Sequence, residues 1–112
     1  MYIERHFPHT LKVQINDDVW EQPITSGLYY IHFKRDVDDY FWNESEWIAL
    51  SGNYLQLTHD FNGLWEYQLS AEATADTGQY TAFFSNASDP RVYDSLDITV
   101  QQTLNYWTVT GD

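Results

Sequence analysis

The sequence contains no cysteine. Disulfide staples and thiolate metal centres are therefore excluded, and any core must hold by packing alone. Basic charge is also scarce: 5 Lys and Arg stand against 17 Asp and Glu, a formal net charge of −12. A field of that sign repels phosphate backbones and anionic lipid, so we expect neither a nucleic-acid nor a membrane partner. With only 3 Pro and 5 Gly, the chain is not a low-complexity or collagen-like one. No apolar run approaches the roughly 20 residues that a membrane helix needs. The opening Met1-Tyr2-Ile3-Glu4-Arg5-His6 has neither a basic n-region nor an apolar h-region. We accordingly expect no signal peptide and synthesis in the cytosol.

What the 112 residues do contain is aromatic side chains: 5 Trp, 9 Tyr and 6 Phe. Large rings suit pleated, half-buried surfaces. The recurring period is two rather than 3.6. Leu11, Val13 and Ile15 alternate with Lys12, Gln14 and Asn16, which predicts a strand ending at Asp17-Asp18. Over residues 28–34, Tyr29, Ile31 and Phe33 face one side, and Leu28, Tyr30 and His32 the other. Tyr40-Phe41-Trp42 and Trp47-Ile48-Ala49-Leu50 flank a polar tip, Asn43-Glu44-Ser45-Glu46, and predict a hairpin with Trp42 opposite Trp47. Residues 54–58 alternate as one strand, and Asn62-Gly63 marks a turn before a strand over 64–69, with Trp65, Tyr67 and Leu69 on one face. Residues 70–75 have helical propensity enough for a single turn. Strands are expected over 79–85 and 92–100, with a loop over 85–90 between them. Residues 103–110 are expected to form a further strand or a docking tail. About eight short strands at this spacing, with no amphipathic helices between them, predict an all-β antiparallel sandwich in a single domain over 1–112.

Two patterns carry more. Asp76-Thr77-Gly78-Gln79-Tyr80-Thr81-Ala82 resembles the tyrosine corner of immunoglobulin-like sandwiches, with Ala82 where those domains place a cysteine. The departure removes an inter-sheet disulfide but not the corner. Over residues 28–100, the hairpin Tyr40-Phe41-Trp42-Asn43-Glu44-Ser45-Glu46-Trp47 is followed in order by Leu55-Gln56-Leu57-Thr58, Gly63-Leu64-Trp65-Glu66-Tyr67 and Gly78-Gln79-Tyr80-Thr81-Ala82-Phe83-Phe84. That order resembles small immunoglobulin-like β-sandwich modules in the structural proteins of tailed bacteriophages. The resemblance implies a virion component: a fibre adaptor, a baseplate part or a capsid decoration. Its partners would be other virion proteins, in a multi-copy symmetric assembly or homo-oligomer.

Chemistry has thinner support. No serine sits in a Gly-x-Ser-x-Gly elbow, and nothing in the sequence assembles His32 or His59 with a serine and a carboxylate. We therefore expect no enzyme and no cofactor. His6 and His9 lie in the N-terminal arm and His59 beside a turn, without the spacing of a metal site. Asp36, Asp38 and Asp39, with Glu44, offer hard oxygen ligands and are weak calcium candidates, though they lack EF-hand spacing. The rival to assembly is carbohydrate binding. Trp20, Trp42 and Trp47, with Trp107, are candidates for a stacking platform. For assembly, the interface candidates are Tyr2 and Phe7 in the N-terminal arm (residues 1–10), and Leu104, Tyr106 and Trp107 in the C-terminal tail (residues 103–112).

Overall fold

The computed structural model describes residues 1–17, 19–86 and 92–102. Among them the chain is all-β, with ten strands and one 3-10 turn. The strands are β1 (Tyr2–Glu4), β2 (His9–Gln14), β3 (Tyr29–Arg35), β4 (Tyr40–Trp42), β5 (Trp47–Ile48), β6 (Leu55–Gln56), β7 (Thr58–Phe61), β8 (Leu64–Leu69), β9 (Gly78–Asn86) and β10 (Val92–Gln101). The 3-10 turn spans Ala71–Thr74, the single helical turn that its propensity predicted. The strand expected over 103–110 lies outside the described residues, as does most of the loop between β9 and β10.

Seven strands form a mixed sheet in the order β1-β10-β9-β3-β4-β5, and β6 pairs with β3 beside β4. Three form an antiparallel sheet in the order β2-β8-β7. The long antiparallel ladder β3-β9-β10 is the backbone of the larger sheet. The N-terminal Tyr2–Glu4 adds to it as a parallel edge strand, with Ile3 opposite Val100. One hydrophobic cluster lies between the two sheets. β2 contributes Leu11 and Val13, β3 Tyr29, Ile31 and Phe33, β8 Trp65 and Leu69, β9 Tyr80, Ala82 and Phe84, and β10 Ile98 and Val100. These are the alternate residues of each strand, so the period of two places them on one face by construction.

Local chemistry explains the connections. Asn62 and Gly63 both take positive φ (50° and 84°), the left-handed pair that joins twisted strands tightly. A Cβ on Gly63 would stand 2.5 Å from Gln14 Nε2 and 2.7 Å from Pro23 Cβ, so the turn can press against the β2 end only as glycine. Tyr80 Oη donates to the Asp76 carbonyl oxygen at 2.7 Å, which ties the start of β9 to the chain leaving the 3-10 turn. Trp42 faces Trp47 across the hairpin, with ring centroids 5.4 Å apart.

One predicted strand is divided. Residues 54–58 do not run as a unit: Leu55 pairs with Ile31 in the larger sheet, whereas Thr58 pairs with Glu66 in the smaller one. Leu57 lies buried at the crossing, with its N–H donated to the Tyr29 carbonyl. The alternation continues unbroken through this switch, because Leu55 and Leu57 both point into the shared core.

Candidate functional site

The core takes Tyr29, Phe33, Trp42, Trp65, Tyr80 and Phe84, while large apolar side chains stand exposed at several places, among them Tyr2, Phe7, Val37 and Leu50 as well as Val19, Trp20 and Phe61. The loop from β2 to β3 folds back on itself at the Asn16–Pro23 bridge. Asp17 organises it. Its Oδ1 accepts from the N–H groups of Val19 and Trp20, both at 2.8 Å. Its backbone N–H donates to Gln22 O at 2.7 Å, and its carbonyl accepts from Glu21 N–H at 2.9 Å. Glu21 closes the loop in the left-handed region, at φ 54°. An aspartate that caps its own following amides is a well-known turn device. Here it holds Val19 and Trp20 outward, each 75% exposed.

The β7–β8 tip adjoins this loop. Ile15 N–H donates to Gly63 O at 2.8 Å, and Gln14 Nε2 to Asn62 O at 3.1 Å. Phe61, on that tip, is 73% exposed. Three large apolar side chains thus stand at one end of the molecule on backbone that is hydrogen-bonded in place. Asp17, Glu21 and Asp60 are their acidic neighbours in sequence.

The far end of β3 holds two of the four described Lys and Arg, Lys34 and Arg35. Arg35 forms a fork with Asp38, with Nε at 3.0 and 3.2 Å from the two carboxylate oxygens, and lies over the Trp47 ring at 4.6 Å. The Arg35 hydrogen bonds hold the Asp38 carboxyl below the usual carboxylate range, and Asp38 in turn raises Arg35. Lys34 sits 3.8 Å from Asp36 and 3.5 Å from Asp39. The three aspartates weighed as calcium ligands therefore face two cations. Among the described residues, no group of three or more His, Cys, Asp or Glu is placed to hold a metal ion.

One pair has the elements of a nucleophile and a base. His32 Nε2 lies 2.7 Å from Ser85 Oγ, across neighbouring strands. Burial lowers the His32 pKa, opposed by a hydrogen bond to the Gly52 backbone. A neutral imidazole on a hydroxyl is how serine nucleophiles are activated. Ser85, however, is only 6% exposed, and a backbone group rather than a carboxylate orients the ring. The arrangement is that of a structural clasp holding the β5–β6 connection to the sheet.

The other residues named from sequence are dispersed. Trp42 is 5% exposed and faces the core, while Trp47 is half-buried against Phe33 and Tyr80. Of Trp20, Trp42 and Trp47, Trp20 alone stands in solvent. Tyr2 and Phe7 are exposed on and beside the β1 edge strand. Leu104, Tyr106 and Trp107 lie outside the described residues. Sequence reasoning missed Val19 and Phe61. The available signal was Asp17-Asp18, a turn pair placed directly before an apolar dipeptide. Comparison with protein-family models, with curated proteins and with solved structures finds no match.

Proposed function

We propose that this chain is a non-enzymatic assembly module with an immunoglobulin-like β-sandwich fold, serving as a virion structural protein of a tailed bacteriophage. Its place would be as a capsid decoration or as a fibre or baseplate adaptor, in contact with other virion proteins and repeated in a symmetric, multi-copy or homo-oligomeric arrangement. The sandwich is supported by two sheets around one core and by the Tyr80 bond at the entry to β9. The phage placement is supported by the ordered motifs over residues 28–100. The observation that carries assembly is that large apolar side chains are left in solvent beside a filled core, Tyr2, Phe7, Val19, Trp20, Val37, Leu50 and Phe61 among them.

Carbohydrate binding is less well supported, because Trp42 and Trp47 are turned into packing and leave Trp20 without a second ring among the described residues of the proposed platform. The test is the mass of the purified protein by light scattering after size exclusion. A stable trimer or larger ring is expected. A strict monomer at all accessible concentrations would overturn the homomeric part of the proposal.

A further inference from the structure

The exposed end has a definite electrostatic setting. Among the described residues the basic side chains are Arg5, Lys12, Lys34 and Arg35. Arg5, Lys34 and Arg35 are engaged elsewhere, and Lys12 meets this end only at Asp60. Arg5 donates to Ala75 O at 2.7 Å, Lys12 pairs with Asp60 and Glu66, Lys34 with Asp36 and Asp39, and Arg35 with Asp38. No ion pair among the described residues reaches Glu21, the residue that follows Trp20. The end therefore combines an open indole, on backbone held by Asp17, with a Glu21 carboxylate outside the described ion pairs, on a chain whose net charge is −12.

That combination selects a kind of partner. A second copy of the same end would bring like charge to like charge, which costs association energy. An anionic partner is repelled for the same reason. A cationic protein surface meets both features at once. Arginine suits it best: the guanidinium is flat, weakly hydrated and stacks on indole faces, while its N–H groups can reach a flanking carboxylate. From this, and building on the assembly proposal, we infer that the turn carrying Val19, Trp20 and Glu21, capped by Asp17, is a docking knob, and that Trp20 takes an arginine side chain of a basic partner protein, with Glu21 as the charged flank. Val19 and Phe61 supply the apolar rim that excludes water around the stacked pair.

The probe is a hexa-arginine peptide, titrated into the full-length, 15N-labelled protein, with hexalysine as the charge-matched control. Hexa-arginine is expected to move the Trp20 indole N–H and the Val19 and Glu21 amides more than any other resonances. It should bind roughly two- to fivefold more tightly than hexalysine, the size of an exposed cation–π contribution. Trp20→Ala should erase that preference while its amide spectrum shows the fold intact. If the largest shifts fall elsewhere, or if Trp20→Ala keeps the arginine preference, the knob is not the docking site. The oligomeric mass of Trp20→Ala separates the two proposals. A lost arginine preference with unchanged mass leaves the knob standing whichever mass the protein has, whereas a retained preference refutes the knob without touching the oligomer.

Discussion

The two faces of β3 and β9 share one backbone ladder and differ in almost everything else. The inner face presents Tyr29, Ile31, Phe33, Tyr80, Ala82 and Phe84, all buried. The outer face presents Tyr30, His32, Lys34, Thr81 and Phe83, half-buried, with Ser85 covered beside His32. Inner contacts are ring on ring: Phe33 and Tyr80 stack with centroids 5.1 Å apart and planes 1° from parallel. Outer contacts are polar and diagonal. His32 meets Ser85, Lys34 lies 5.5 Å from the Phe83 ring centre, and Thr81 donates to Asp36 at 2.9 Å. Burying one large apolar side chain contributes about 1.5–3 kcal/mol, whereas a cross-strand pair contributes about 0.2–1 kcal/mol. Identical strand geometry thus yields a stability-bearing face and a face free to serve surface chemistry.

The sharpest way to break this contrast is Phe33→Ala. Phe33 is fully buried between Tyr80 and Trp47, and a cavity there cannot fill from solvent. Urea unfolding should show a loss of about 3–5 kcal/mol. A loss no greater than that of an outer-face truncation such as Phe83→Ala would mean the two faces are energetically alike. Tyr80→Phe is a smaller step on the same face. It keeps the stack and removes only the bond to Asp76 O. A loss of about 1–2 kcal/mol is expected by the same measurement, because one hydrogen bond is removed. No change would mean that the ring alone, without its hydroxyl, holds the entry to β9.

The inner face was legible in the sequence because a period of two is local: each of Tyr29, Ile31 and Phe33 needs only its neighbour to be assigned a side. The Trp42–Trp47 pair and the Tyr80–Asp76 bond were legible for the same reason, since each spans five residues or fewer. The outer face was not. His32 and Ser85 stand 53 residues apart, and their meeting depends on the register of two strands that are not consecutive in the chain. The switch of sheets at Leu57 left no trace, because Leu55 and Leu57 face the same core whichever sheet holds the backbone. At the exposed end, Trp20 was legible as a candidate but not its isolation. An indole reads the same in a sequence whether packing claims it, as it does Trp42, or a capping aspartate turns it outward.

The smallest effect expected belongs to the outer face and is read as a slope rather than a loss. Burial holds the His32 pKa below its ordinary 6.5, so the unfolded chain takes up a proton more readily than the folded one. Stability should therefore be fully present above about pH 6.5 and decline as pH falls through that value toward the lowered folded pKa. Below about pH 5 the carboxylates also titrate, so the informative window is the one above it. His32→Gln keeps a side chain able to bond Ser85 and the Gly52 backbone but removes the titration. Unfolding free energies measured across that window should fall with acid in the parent protein and stay flatter in the variant. Equal slopes would show that His32 protonates without disturbing the clasp. The outer face would then be, like the solvent around it, indifferent to the charge that the inner face could never accommodate.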